Sequence, residues 1–244
     1  MKLLIQGCQA LGINITQQQI QQFELYYEKL VEWNQKFNLT AITDYDEIQT
    51  KHFLDSIASL PILAQQVKDS APIRHPYKLI DVGTGAGFPG VPLKITNPTM
   101  DLTLMDGTGK KIQFLNHLVV QLTLDSTTII QGRAEELGQQ PGYREKYDLV
   151  TARAVAPLKT LIEYLLPLAC LDGLVIVYKG GNAAQEFAEA QRGIEILGGK
   201  IERFSPVEVP YLDQERYILL IRKCRNTPKR YPRGQGLARK QPLT

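Results

Sequence analysis

The spacing of apolar residues changes along the chain. Near the N-terminus, Ile20, Phe23, Tyr27, Leu30 and Phe37 recur at helical intervals, which predicts an amphipathic helix with one buried stripe. Asn38-Leu39-Thr40 breaks that pattern. Asp44, with Glu47 three residues on, reads as a capping box opening a second helix, through Ile48, Phe53, Ile57 and Leu60 to Pro61. On that helix His52, Asp55 and Ser56 lie three and four residues apart and share a face. Residues 69–76 read as a linker. Beyond it come short apolar runs at 78–82, 101–106, 127–131, 147–151 and 174–178, which predict strands. Helical patterns at 111–122 and around 158–169 separate some of them. A further helix then leads to runs at 200–209 and 216–221, a closing hairpin. Strands alternating with helices argue for an α/β fold with a mostly parallel sheet covered on both faces. The chain divides into a helical extension over 1–70, an α/β core over 71–222 and a tail over 223–244.

Composition narrows the class. The 244 residues are 43% hydrophobic and 22% charged, ordinary for a soluble globular protein. No apolar run approaches the ~18–20 residues that span a bilayer. Residues 1–8 turn polar too soon for a secretory signal, so a cytoplasmic location without membrane attachment is expected. Cys8, Cys170 and Cys224 are far apart, as are His52, His75 and His117. Neither a disulfide framework nor a metal site is expected. The net charge of +3 is unevenly spread: Arg222, Lys223, Arg225, Lys229, Arg230, Arg233, Arg239 and Lys240 crowd the C-terminus with no acidic residue among them. A net acidic body thus ends in a cationic tail of the kind that neutralises phosphates, or one that merely aids solubility.

The chemistry centres on Asp81-Val82-Gly83-Thr84-Gly85-Ala86-Gly87-Phe88-Pro89-Gly90, which follows one predicted strand and precedes a helix. Glycines let the backbone turn sharply and approach a ligand. Gly85 to Gly90 formally match the dinucleotide fingerprint, and Asp106 lies near the distance of its ribose-binding carboxylate. Two features argue otherwise. Asp81 places a carboxylate beside the loop, ill suited to a pyrophosphate but suited to the ammonium of a methionine moiety. Pro89 and Pro92 remove N–H donors from the start of the helix, where a pyrophosphate would bind. S-adenosylmethionine, which has no phosphate, loses nothing by that. A nicotinamide-dependent oxidoreductase is the competing enzyme class, and a non-catalytic RNA-binding assembly factor the competing non-enzyme.

The ordered set Asn38-Leu39-Thr40, His52-Phe53-Leu54-Asp55-Ser56, Asp81 to Gly90 and Arg153-Ala154-Val155-Ala156 resembles the bacterial small-subunit (16S) ribosomal RNA guanine-N7 methyltransferases, the glucose-inhibited division protein B family. The resemblance runs from about Trp33 into the basic tail. It implies a Rossmann-like S-adenosylmethionine-dependent methyltransferase core with an N-terminal helical extension. It implies methylation of one guanine at N7 in small-subunit ribosomal RNA, within the ribosomal subunit. Carried over by position, Gly83 and Phe88 should contact the cofactor, with Asp81, Gly85 and Gly87 in the same loop. The Asp106-Gly107-Thr108 turn matches the ribose side, departing from the usual acidic-Ser pattern at positions 107 and 108. Ala134-Glu135 match the segment near the adenine, and Arg153 matches a cofactor-site residue.

Guanine N7 carries a lone pair and no proton, so its methylation needs no general base. Catalysis is then expected from positioning. N7 faces the deep groove of A-form RNA, where side chains reach poorly, so the target should be unpaired or flipped out. Arg133, Arg153 and Lys179 lie near predicted strand ends, where a cation can meet the guanine O6. His52 joins Arg153 and Lys179 as a catalytic candidate through the resemblance; from spacing alone His52 and Asp55 read as a helix-packing pair.

Overall fold

Seven strands form one sheet in the order β3-β2-β1-β4-β5-β7-β6 in the computed structural model, which describes residues 1–69 and 76–243. The strands are β1 (Lys78–Val82), β2 (Asp101–Asp106), β3 (Thr127–Gln131), β4 (Tyr147–Arg153), β5 (Ala169–Lys179), β6 (Gly199–Val207) and β7 (Arg216–Lys223). Pairings from β3 through β5 are parallel; β7 runs antiparallel between β5 and β6. The expected closing hairpin is present, and its second strand, not its first, joins the parallel body.

The helices are α1 (Lys2–Ala10), α2 (Gln17–Phe37), α3 (Tyr45–Glu47), α4 (Asp55–Ile57), α5 (Leu60–Asp69), α6 (Gly90–Thr96), α7 (Gly109–Gln121), α8 (Ala134–Leu137), α9 (Leu158–Leu165), α10 (Ala183–Ile196) and α11 (Leu237–Lys240). Thr16 closes a capping box with Gln19 at the start of α2. Strand alternation sorts side chains into two layers, as period-2 geometry requires. Leu79, Leu102, Leu104, Leu149, Leu174 and Ile176 face one core together with side chains of α1, α2, α6 and α7. Ile80, Val82, Met105, Val150, Val175 and Val177 face the other, with α9 and α10. The N-terminal helices thus complete the first layer.

Three local expectations change. The single helix expected from Asp44 to Pro61 is interrupted. Asp44 does cap α3, accepting from the Asp46 and Glu47 N–H groups, but residues Ile48–Leu54 then form a π-helix before α4. Pro61 opens α5 instead of ending its predecessor, since the first turn needs no N–H from it. β5 begins at Ala169, inside the span expected to be helical, because Pro167 cannot extend α9. The expected linker lies mostly outside the described residues. Among the described residues, no helix is long and apolar enough to cross a membrane.

Tyr178 of β5 ties the sheet to the N-terminal layer. Its hydroxyl lies 2.5 Å from Ser59 Oγ and donates to Ser56 O at 2.8 Å. Burial pushes this phenol well above its ordinary range, so it stays a neutral donor. Tyr178→Phe should cost about 1–2 kcal/mol, because the Ser56 carbonyl loses its buried donor. For a domain of this size that lowers Tm by about 2–4 °C per kcal/mol. An unchanged melting curve would show that the layer does not depend on this contact.

Candidate functional site

β1 neighbours both β2 and β4, so the strand order reverses there and a crevice opens beyond the carboxyl ends of these strands. The glycine loop fills it. Gly83 and Thr84 donate to Met105 O, and Gly87 and Phe88 donate back to Thr84 O. Asp81, fully buried, closes the loop: its Oδ2 accepts from Thr84 Oγ1 at 2.6 Å and from Gly90 N at 2.8 Å. Its Oδ1 has no partner. Burial raises the Asp81 pKa to about 6, against the hydrogen bonds from Thr84 and Gly90 and the nearby Arg153 charge, which pull it down.

The start of α6 has little left to offer a phosphate. Gly90 N is held by Asp81, Val91 N by Gly87 O and Leu93 N by Pro89 O, while Pro92 has no N–H. The objection to a dinucleotide raised from the two prolines therefore becomes stronger in three dimensions.

Asp106, at the end of β2, is buried. Its Oδ2 accepts from Gly85 N at 3.0 Å and lies 3.4 Å from Lys111 Nζ; its Oδ1 accepts from Thr108 N at 2.9 Å. Gly107 and Thr108 beside it are exposed. Gly132 N donates to Asp106 O at 3.2 Å, which brings the following Ala134-Glu135 segment to the same edge. Ala134 is buried and Glu135 half-buried. Arg133 is largely exposed at the rim and pairs with Glu135 Oε1 at 3.9 Å.

On the other side stands Arg153. It donates to Asp55 Oδ2 at 2.6 Å and to Lys51 O at 3.2 Å, approaches His52 Nδ1 at 3.4 Å, and lies 5.2 Å over the Phe88 ring. Asp55 Oδ1 accepts from Arg216 Nε at 3.0 Å. His52 and Asp55, read from spacing as a pair, thus converge on Arg153. A guanidinium only donates, so the geometry makes His52 Nδ1 the acceptor and leaves Nε2–H to donate to Thr40 Oγ1 at 2.9 Å. Burial and the Arg153 charge lower the His52 pKa to about 3, so the ring is neutral at ordinary pH. The ring stacks on Phe88 with centroids 4.4 Å apart.

Ala154 has a positive φ of 57°, sparsely populated for a residue with a side chain. This turn sets Val155 against Gly83, where an added Cβ would fall 2.8 Å from Val155 Cγ2. Lys179 braces the same loop, donating to Ala156 O at 2.8 Å and pairing with Glu186 at 2.7 Å. Three contributors escaped the sequence reading. Tyr26 donates to Ala86 O at 2.6 Å and stacks on Phe88 at 5.2 Å. It sits three residues after Phe23 on the helical stripe, so its burial was legible there. Lys111, at the start of the helical pattern predicted over 111–122, reaches Asp106. Arg216 gave no local signal. Among the described residues, no three His, Cys, Asp or Glu side chains converge as metal ligands.

This arrangement can be set beside known proteins. A family model described as rRNA small subunit methyltransferase G (GidB) matches residues 19–215. The chain belongs to this family. Relatives named ribosomal RNA small subunit methyltransferase G are similar along its whole length. One from Acetivibrio thermocellus is 46% identical over 243 residues, covering 100% of this chain and 96% of its own. One from Dehalococcoides mccartyi is 44% identical over 243 residues, covering 100% of both. Solved structures share the fold at low identity. TYW2 of P. horikoshii, determined in complex with MeSAdo, gives a TM-score of 0.50 at 12% identity, covering 66% of this chain and 61% of its own. The [4+2]-cyclase SpnF gives 0.51 at 15%, covering 67% and 80%. A cyclase among the neighbours shows that the fold alone does not choose the reaction within this architecture.

The loop's dependence on Tyr26 is measurable. Gly87 has φ 103°, and an added Cβ would lie 2.7 Å from Tyr26 Oη and 2.8 Å from Val91 Cγ2. Gly87→Ala should therefore destabilise by about 2–4 kcal/mol through overpacking and backbone strain. Gly142→Ala, where an added Cβ meets nothing within 4 Å, serves as control in the same urea titration. Equal costs for the two would show that the loop is not clamped.

Proposed function

We propose that the chain transfers a methyl group from S-adenosylmethionine to N7 of a guanine in small-subunit ribosomal RNA, by direct in-line displacement. Family membership over the whole chain carries this reading. The residues present suit the cofactor. The unpartnered Asp81 Oδ1 offers an acceptor for an ammonium. An added Cβ at Gly85 meets only Lys111 Nζ, at 3.9 Å, and one at Gly107 only Gly132 O, at 3.7 Å, so the backbone there leaves room for a ligand. When bound, S-adenosylmethionine supplies an electrophilic methyl group on a sulfonium.

Asp81, Gly83, Gly85, Gly87 and Phe88 hold the methionine side; Asp106, Gly107 and Thr108 hold the ribose; Ala134 and Glu135 flank the adenine. Arg153 and His52 act as positioning residues that fix Phe88, and Lys179 positions the loop after β4. Exposed Arg133 is suited to donate to the guanine O6. No group is required to remove a proton, and neutral His52, its Nδ1 already engaged by Arg153, is consistent with that. Orientation of the reacting atoms can supply roughly 7–11 kcal/mol. The partner is the RNA, presented within the ribosomal subunit.

Radiolabelled S-adenosylmethionine incubated with small subunits lacking the modification, followed by nuclease mapping, should place label in a single N7-methylguanine. Label on another acceptor, or none despite cofactor binding, overturns the reading. The pH dependence gives a sharper check of Asp81. Its carboxyl is ionised above about pH 6 and neutral below. Cofactor affinity measured by calorimetry should hold above that value and fall below it, by up to tenfold per pH unit, and Asp81→Asn should flatten the profile. A wild-type affinity constant from pH 5 to 8 would remove Asp81 from the ammonium. The catalytic rate at saturation should show no histidine titration near pH 6.5, because His52 stays neutral well below that pH.

A further inference from the structure

The C-terminal segment places its cations in two environments. Lys223 and Arg233 turn inward. Lys223 Nζ donates to Leu166 O and Thr227 Oγ1 and lies 3.4 Å from Glu145; Arg233 makes paired contacts with Glu163, which is fully buried. Backbone bonds complete the attachment. Arg144 donates to Gly138 O, Thr227 O and Tyr231 O; Gln139 to Lys229 O and Pro232 O; Thr160 to Ala238 O. Tyr231 is 5% exposed and packs in the second core. The segment expected as a tail is therefore a folded strap across α8, α9 and α10, at least as far as Leu243, which packs beside Gly193.

The remaining cations, Arg225, Lys229, Arg230, Arg239 and Lys240, are exposed. Among the described residues none of them forms an ion pair, and the strap contains no Asp or Glu to neutralise them. Their place matters. Pro232 lies against Gly138, just after α8, and α8 follows Gly132, whose N–H is bound to Asp106 O. Gln139, just beyond α8, donates to Lys229 O and Pro232 O, so the strap runs beside the helix that begins with the expected adenine segment.

We propose that this strap is an RNA-docking element, a pre-folded row of cations that grips the phosphate backbone flanking the methylated guanine. The proposal rests on the functional reading above, and extends it to how the RNA is held. A flexible tail would lose conformational freedom on binding, whereas a strap already anchored at Tyr231, Arg233 and Ala238 avoids most of that cost. Among the described residues of the strap, Leu237 alone is a large exposed hydrophobic, so the surface suits a polyanion better than an apolar partner.

The test substitutes the exposed cations and leaves the anchors. Truncation would not serve, since it strips Glu163 and Glu145 of their partners. RNA binding is titrated against salt, using a small-subunit RNA fragment containing the target, for the wild type and for Lys229→Gln, Arg230→Gln, Arg239→Gln and Lys240→Gln combined. Each phosphate contact contributes about 0.7–0.9 to the slope of log affinity against log salt, so the slope should fall by about 3. Two double variants, K229Q/R230Q and R239Q/K240Q, should each lose about half of that, which covers the case where the quadruple variant folds poorly. An unchanged slope in variants that melt with the wild type overturns the proposal. Salt-dependent binding of RNA by the wild type without methyl transfer would sink the functional reading and leave the docking role standing.

Discussion

The contact between Arg153 and Asp55 indexes the parts of the site to one another. Both side chains are nearly buried, and removing such charges from water is unfavourable unless every lone pair and proton finds a partner. Here both carboxylate oxygens and both terminal nitrogens of the guanidinium have partners. Asp55 takes a second guanidinium from Arg216 on its free oxygen, and Arg153 also donates to the Lys51 carbonyl and approaches the His52 ring. One carboxylate therefore joins the end of β4, the start of β7 and the π-helical segment. Phe88 of the glycine loop lies beneath the Arg153 guanidinium and carries the loop into the same assembly. The stability of such a pair is modest. Its value lies in geometry, because few other arrangements of three elements would leave none of these charges unpaired.

The π-helix over Ile48–Leu54 belongs to the same constraint. Such insertions are rare and shift side chains relative to a regular helix. It is here that Lys51 turns its carbonyl toward Arg153 and His52 its ring toward both Thr40 and Phe88. The imidazole is then engaged on both nitrogens, and partial burial together with the Arg153 charge keeps it neutral. A nucleophile that carries no proton asks for no base, and a site whose half-buried His52 is held neutral matches that demand.

Much of this was legible in sequence because its causes are local. The five parallel strands follow from short apolar runs, and the glycine loop from its residue types. Alternation along β1 even fixes which side Asp81 faces, since Leu79 two residues earlier lies in the same core. What was not legible depends on distance along the chain. Arg216 meets Asp55 across 161 residues, and Tyr26 meets Ala86 across 60. Nothing in the spacing of Ile48 to Leu54 announces a π-helix. The strap was the clearest loss: its charges suggested a cationic tail, for phosphates or for solubility, whereas Tyr231, Ala238 and the carboxylate of Glu163 draw it onto the second layer.

The two segments outside the parallel sheet dock on opposite faces. The N-terminal helices build the first core and support the glycine loop through Tyr26 and Phe88, while the strap builds on the second and reaches Gly193 of α10. The loops at the carboxyl edge of the sheet therefore lie between them. An α/β core can be shared at 12% or 15% identity with proteins of different chemistry, because layered packing tolerates many sequences of suitable pattern. The added layers have less freedom. Tyr26 must reach one carbonyl of a loop whose Gly87 leaves no room for a Cβ, and Arg233 must meet a carboxylate with no access to water. What distinguishes this chain within the architecture is thus written in the segments that flank the sheet, and the sheet itself serves to bring them to one edge.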